Sequence, residues 1–354
     1  MGTPIKELTI EGFKSIRKLE SFELRNLNIL IGANGAGKSN FVEVFRLLHS
    51  IADDQLDAYV AKAGGGDGFF FGGPKVTPKI QIRVSLGGFP ICFTFEPTAD
   101  SRIVSTRKSG KEEDQLSATT AFVIPPGVEN SQQELFRIMS GWTVYHFHDT
   151  SALASMRREQ SMQDVAYLRA DASNVAAFLL DMQKNHPRHY FIIRDTIRLI
   201  APFFDDFILK ERVRGNDKKV ALDWQQKGSD FPFQPWHLSD GTIRFIALAT
   251  ALLQPNPPPT MVIDEPELGL HPHALEVLAG LVQKVSTEVQ VIISTQSAPL
   301  LSQFEPEDVI TVSRRDGAST FDRLDKNDLA DWLKDYTLGE LWQKNVVEAG
   351  AGND

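Results

Sequence analysis

Residues 32–39 read Gly-Ala-Asn-Gly-Ala-Gly-Lys-Ser, and this stretch decides the fold. It satisfies the pattern G-x-x-x-x-G-K-[ST] in full. It follows the buried run "LNILIG" and precedes a segment in which Phe41, Val44, Phe45 and Leu48 recur at helical spacing. Strand, glycine-rich turn and helix is the setting in which this pattern cradles a polyphosphate. The glycines let the backbone of Asn34, Gly35, Ala36, Gly37, Lys38, Ser39 and Asn40 turn its amides inward on a β-phosphate. Lys38 supplies a point charge to the β- and γ-phosphates, Ser39 offers a hydroxyl ligand to Mg²⁺, and the helix start adds its dipole. The spacing predicts a helix over 38–51 and an α/β fold. A plain glycine-rich turn would leave the lysine and the serine unexplained.

A second buried run, "TMVIDEPE" (260–267), ends in two acids. Asp264 emerges at the C-terminal end of its strand, where ligands collect in open α/β sheets. It can hold Mg²⁺ through water, and Glu265 is placed to polarise an attacking water. The next helix starts later, with Pro272 in its first turn and Leu275, Leu278 and Val282 continuing it, so both acids stay in the loop. A third buried strand, "VQVIISTQS" (289–297), brings Gln296 to its end. That side chain either reaches a γ-phosphate or is a polar strand terminus.

Between these segments lies "LSDGTIRFIALATALL" (238–253). Ser239 suits an N-cap, Gly241 permits close approach of another group, and Ile243, Ile246, Ala247, Thr250 and Leu253 form a buried face. Free amides and the helix dipole make this end a second anion site, although a plain capped helix has the same signature.

The rest of the chain bounds the reading. Its 354 residues suit one large domain or two lobes. Hydrophobic residues at 42% and charged ones at 23% are the balance of a globular protein with a full core. The net charge of −9 argues against autonomous, non-specific DNA binding. No apolar run approaches the roughly 18 residues needed to span a bilayer, so no membrane contact is expected. The N-terminus reads as a strand rather than a signal peptide. The single cysteine, Cys92, excludes internal disulfides and a cysteine zinc site. A cytoplasmic location is expected. Patterning places strands at 5–10 and 22–31, a loop at 63–78, paired strands at 79–95 and a flexible arm at 101–120. It places helices at 151–162, 173–185 and 188–203, a strand pair at 206–225 and a helical tail at 328–343. No fixed repeat or long heptad is present. "YHFHDT" puts His146 and His148 on one face beside Asp149, either a metal site or, with no clear further ligand, a hydrogen-bonded structural one. "KERVRGNDKK" (210–219) reads as a solvated hairpin tip. Phe69–Phe71, Trp332 and Trp342 read as core or partner contacts.

The order of motifs is glycine-rich loop, LSxG, strand ending in Asp-Glu, "LGLHP" with His271, and strand with a polar end. It resembles the ATPase heads of the ABC superfamily. The opening "IKELTIEGFKSIRKLESFELRNLNILIGANGAGKSN" looks like that of RecF, SMC and OLD ATPases, and "DEPELGLHP" is similar to the OLD and RecF form. The resemblance covers roughly 3–50 and 235–312. "YHFHDTS" and "YTLGELWQKN" are similar to features of a compact group of bacterial ATPases related to OLD. The resemblance implies a discontinuous P-loop NTPase head: an N-terminal lobe over 1–100 with a mixed and antiparallel sheet, a mainly helical insertion over 101–234, and a C-terminal lobe over 235–354. It implies ATP and Mg²⁺ as ligands, with Glu265, Lys38 and Gln296 catalytic. Asn34 to Asn40, Ser239, Gly241 and His271 would contact nucleotide, and Ser39 and Asp264 the metal. In that family two heads pair head-to-tail, and the LSxG of one closes on the γ-phosphate held by the other. The second anion site is thereby explained, and an ATP-dependent homodimer is implied.

The resemblance has departures. Gln296 stands where many relatives carry histidine, and glutamine donates to phosphate but cannot take its proton. Gln81 is the one weak candidate for the family's Q-loop glutamine. Only 82 residues follow Pro272, too few for the C-terminal TOPRIM nuclease domain of full OLD proteins. The chain alone is therefore expected to cut no DNA. A separate effector chain, TOPRIM-like or other, is expected in nucleic-acid surveillance or phage defence, with any nucleic acid reached through the complex. Two rivals remain. A transporter nucleotide-binding subunit is opposed by the form of "LGLHP". A scaffold using ATP only as a structural ligand is opposed by Glu265.

Overall fold

The alternation in "IKELTIEGF" makes strand β1, Ile5–Phe13, and the chain reverses at Lys14 (φ 49°) into β2, Ile16–Glu23. A computed structural model describes residues 3–86, 89–109, 138–215 and 217–347. The chain continues through β3 (Leu27–Ile31, buried throughout), α1 (Lys38–Ala52) and α2 (Leu56–Lys62). A three-strand run follows: β4 (Ile80–Leu86), β5 (Phe89–Pro97) and β6 (Ile103–Ser109). The middle holds β7 (Thr143–Tyr145), β8 (Gln160–Ser161), α3 (Val175–Asn185), α4 (Pro187–Ile200), β9 (Phe204–Ile208), β10 (Arg212–Arg214), β11 (Asp217–Val220), β12 (Asp223–Gln226) and β13 (Pro232–Phe233). Then come α5 (Asp240–Leu253), β14 (Thr260–Asp264), α6 (Pro272–Val285), β15 (Gln290–Thr295), α7 (Ala298–Leu301), β16 (Val309–Arg315), β17 (Ala318–Arg323), α8 (Lys326–Leu329) and α9 (Leu338–Gln343).

The chain divides into two units. The first comprises residues 1–144, 258–262 and 288–354, and the second 145–257 and 263–287. The segment 235–354 is thus shared between them. In the first unit one sheet runs β2-β1-β4-β5-β6, antiparallel throughout. A second sheet runs β17-β16-β3-β15-β14-β7, with β3 central and parallel to both β15 and β16. Phe41 and Phe45 of α1 turn into the core, where they meet Phe321 and Trp142 at ring-centroid distances of 5.3 and 6.0 Å.

One buried amide ties this unit together. Gln290, 1% exposed, accepts from the Ile5 amide (3.1 Å) and the Thr260 hydroxyl (3.3 Å). Its own amide donates to the carbonyls of Ile5 (2.8 Å) and Arg25 (3.0 Å). Leucine there would fill the space and leave the backbone groups of Ile5 and Arg25 without this partner. Gln290→Leu is expected to lower stability by about 2–4 kcal/mol in urea unfolding, and a loss under about 1 kcal/mol would mean that water replaces the amide.

In the second unit α5 is central, and every residue from Thr242 to Leu253 is buried. The expected one-sided apolar face is in fact buried all round, because α3, α4 and α6 pack against this helix. Two small antiparallel sheets, β10-β11-β8 and β13-β12-β9, complete the unit. Trp224 stacks on Phe233 with ring centroids 4.8 Å apart.

Several expectations need correction. The strand expected at 22–31 is broken at 24–26, and β2 and β3 belong to different sheets. Residues 103–109 of the expected flexible arm form β6, because edge pairing with β5 satisfies a polar strand as well as an apolar one; 110–120 lie outside the described residues. No α-helix forms at 151–162. A 3₁₀ turn at Ser155–Arg157 leads into β8, and Arg157 turns inward to bind backbone carbonyls. The tail at 328–343 is three short pieces, with Trp332–Lys334 a 3₁₀ turn between α8 and α9. The basic stretch at 210–219 forms a hairpin as expected, β10–β11. Phe69 and Phe70 are core residues, whereas Trp332 is 47% exposed.

Candidate functional site

The first unit contains the Gly32–Ser39 loop. β3 and β15 are parallel with Thr295 opposite Ile31, so Gly32 and Gln296 leave the sheet at the same edge. Gly35 (φ 80°) and Gly37 (φ 118°) hold left-handed backbone that turns the loop into α1. Gly37 also has no room for a side chain: a Cβ would lie 2.0 Å from Ser319 Oγ and 2.8 Å from Ser15 Oγ. Those two hydroxyls brace the loop from behind. Ser319 Oγ donates to the Ala36 carbonyl at 2.6 Å and lies 2.6 Å from Ser15 Oγ. Asn40 donates to Ser15 at 2.7 Å, so the structure gives its side chain a bracing bond.

Helix α1 has no side-chain cap and no acid in its first turn, which leaves its first amides available to an anion. Lys38 is 5% exposed, and its ammonium donates to the carbonyls of Gly32 (2.6 Å) and Ala33 (3.2 Å), which fixes the charge inside the loop. Ser39 is exposed in the first helical turn, as is Gln296 past the end of β15. A cavity of about 430 Å³ runs beside the loop, lined by Ala33 to Ala36 and by Val312 to Arg315. Arg314 and Arg315 are exposed and give this edge of an acidic chain a local positive charge. Gln81, the second residue of β4, sits in the antiparallel sheet, paired with Glu11 and Thr94.

The second unit contains Asp264, Glu265 and the start of α5 at Ser239. Asp264 is the buried last residue of β14. Glu265 follows at φ 45°, a left-handed conformation that costs a non-glycine residue about 1–3 kcal/mol and clusters at functional sites. Ser239 caps α5 by accepting from the Thr242 amide at 3.1 Å. Gly241 packs on the loop that follows the acids: a Cβ there would lie 2.3 Å from the Gly269 carbonyl. His271 caps α6, its Nδ1 accepting from the His273 amide at 3.4 Å.

Four residues that patterning does not single out for function complete the picture. Ser15 and Ser319 are 304 positions apart, and nothing local marks either. Arg157, 5% exposed, donates to the carbonyls of Pro235 (2.6 Å) and Leu238 (3.1 Å) and pairs with Asp240 at 2.8 Å. Arg244 is buried inside α5, and that burial lowers its pKa. It is the only charged residue between Gly241 and Leu253, a signal that the sequence does carry. His146 and His148 are both exposed. No group of three or more metal-ligating side chains occurs among the described residues. His148 Nε2 instead donates to the Asp264 carbonyl at 3.0 Å, and the Ser151 side chain and then the Ser151 amide, which donates to Asp149, hold the Asp149 pKa down.

A family model described as "AAA domain, putative AbiEii toxin, Type IV TA system" matches residues 27–302. No curated protein matches. Among solved structures the chain resembles an Smc head bound to the C-winged helix domain of ScpA, with 17% identity, a TM-score of 0.64, and coverage of 92% of this chain and 99% of that one. It also resembles the Smc head with an extended coiled coil bound to the C-terminal domain of ScpA from Pyrococcus furiosus (16%, TM-score 0.58, coverage 93% and 98%). A third is the Smc head with coiled coil and joint from Pyrococcus yayanosii (14%, TM-score 0.53, coverage 93% and 99%). At these identities the likeness shows the fold alone, that of an Smc head domain. Among the described residues no helix is long and apolar enough to cross a membrane.

Proposed function

The chain belongs to the family of AAA domains described as putative AbiEii toxins of type IV toxin–antitoxin systems, and from that premise we propose that it binds and hydrolyses ATP with Mg²⁺ and so closes and opens a head-to-tail pair of copies. The observation that supports this reading is the pairing on one chain of an uncapped helix start after the Gly32–Ser39 loop with a second helix start at Ser239, each of a kind that suits an anion. The Gly32–Ser39 loop is a complete polyphosphate cradle. The capped end of α5 at Ser239 is a second site that a single nucleotide in that cradle has no need of, and a second copy gives it a ligand.

Lys38 and the amides of Asn34 to Ser39 hold the phosphates. Gln296 orients toward the γ-phosphate as a donor. Glu265 accepts the proton of the attacking water. Ser39 and Asp264 are hard oxygen donors of the kind Mg²⁺ takes. The ion, when bound, neutralises charge on the β- and γ-oxygens. Bound ATP bridges two copies and hydrolysis removes the bridge, so the chain is a switch. Its output lies in surveillance or defence through a separate effector chain, a setting that the toxin–antitoxin description of the family supports.

The test is assembly and turnover together. Ser239→Arg should keep monomer ATP affinity within about threefold but abolish ATP-dependent dimers in light scattering. Mixing it with Lys38→Ala makes pairs with one doubly damaged site and one intact site, and since neither variant pairs with itself, up to about half of full turnover should return at equal ratio. No rescue at any ratio would remove action across a dimer. ATP binding without turnover in the unmodified protein would leave the scaffold reading, and co-purification with a membrane protein would revive the transporter one.

A further inference from the structure

The second unit contains a ring of side-chain hydrogen bonds, closed through the chain from Asp264 to Leu268, that neither the motifs nor the family description assigns. Arg244 is 6% exposed, and burying a guanidinium is costly unless every donor direction is met. Here its acceptors are backbone carbonyls from two other segments. Nε donates to Phe147 O at 2.8 Å, Nη2 to His148 O at 3.1 Å, and Nη1 to Leu268 O. His148 continues the path, because its ring donates from Nε2 to Asp264 O at 3.0 Å. The loop from Asp264 to Leu268 is therefore gripped at both ends by one side chain of α5, directly at Leu268 and through His148 at Asp264.

The atom that His148 holds matters. The Asp264 carbonyl lies in the peptide plane between Asp264 and Glu265. The orientation of that plane is set against the Glu265 side chain by the Glu265 φ angle, which is 45°. Fixing the carbonyl fixes the strained torsion that aims the carboxylate. His148 is exposed, so core packing does not account for its position. The other end of the ring lies five positions beyond Ser239, and Gly241 sits against the Gly269 carbonyl. A shift at the start of α5 reaches the acid loop along two contacts.

We propose that Arg244 and His148 form a relay by which engagement of the Ser239 end of α5 sets the orientation of Glu265, with His148 a positioning residue for hydrolysis. The proposal rests on the reading of Ser239 as an anion site filled from a second copy. It makes turnover, and not ATP binding, conditional on the pair being closed, since the cradle lies outside the ring.

The experiment compares His148→Phe, His148→Gln and Arg244→Met in the full chain. ATP affinity, ATP-dependent dimer formation, turnover and melting temperature are read for each. His148→Phe should bind ATP within about threefold of wild type and still dimerise, yet turn over about 30-fold or more slowly, the scale on which a misplaced catalytic group acts. His148→Gln keeps an amide donor and should recover to within about fivefold. The double variant His148→Phe/Arg244→Met should be no slower than Arg244→Met alone within about threefold, because both act on one path. A purely structural role would lower the melting temperature and affinity together and would not be rescued by glutamine. Turnover by His148→Phe within threefold of wild type overturns the relay, as does multiplication of the two single losses in the double variant. If Arg244→Met fails to fold, the two His148 variants decide. Wild-type protein without ATP turnover would instead sink the proposed function, and the two failures are thereby distinct.

Discussion

Lys38→Ala is expected to weaken ATP binding at least about a hundredfold while leaving the fold intact, a loss of roughly 2.7 kcal/mol. The reason is local. The ammonium is buried in the loop and held there by the Gly32 and Ala33 carbonyls, so its charge is pre-positioned and does not have to be ordered when phosphate arrives. The alanine variant keeps the glycines, the helix terminus and the Ser15–Ser319 brace, all of which bind without it, but loses the only full charge within residues 32–39. Titration with a fluorescent nucleotide measures the affinity. Thermal unfolding gives an independent reading. At about a hundred times its dissociation constant ATP stabilises the wild type by roughly 2.7 kcal/mol, and the variant should show almost none of that. Affinity within threefold of wild type would mean that Gly32–Ser39 is not the nucleotide cradle.

The strand, loop and helix over Leu27–Leu48 are legible because every part of them is local. A buried run, a fixed glycine spacing and a helical apolar period lie within 22 consecutive residues, from Leu27 to Leu48. The same holds for α5, whose N-cap at Ser239 is a short-range bond, and for α6, which starts at Pro272. What sets the loop in place was not legible. Ser15 and Ser319 meet only because β1–β2 and β16–β17 turn toward the same loop, and a pair of hydroxyls 304 positions apart leaves no periodic trace. Residues 151–162 show the opposite failure. Their composition permits a helix, but Arg157 finds better acceptors in Thr150, Pro235 and Leu238, and tertiary bonds override the local preference. The edge strand β6 is polar enough to pass for a loop, because pairing with β5 requires backbone groups and not apolar side chains. Arg244 is the intermediate case. A lone charge in the apolar run from Gly241 to Leu253 marks a site, yet only the structure shows that it grips the acid loop.

Glu265→Gln is expected to keep ATP binding and ATP-dependent pairing while lowering turnover about a thousandfold, roughly 4 kcal/mol in the barrier. Glutamine matches glutamate in size and tolerates the same backbone, so the change removes the negative charge and the ability to take a proton and little else. Closed pairs should therefore accumulate, visible as a dimer that persists in ATP and decays in the wild type as phosphate is released. A companion variant separates strain from chemistry. Glu265 sits at φ 45°, where glycine is relaxed and glutamate is not. Glu265→Gly should thus be as stable as wild type or more stable by up to about 1 kcal/mol in urea, and as inactive as Glu265→Gln. A stable protein without turnover is the signature of a residue kept in a costly conformation for its reaction. Unchanged hydrolysis by Glu265→Gln would remove this residue from the role of general base. Loss of stability in Glu265→Gly would mean that the left-handed turn is held by the side chain, and that the carboxylate is structural.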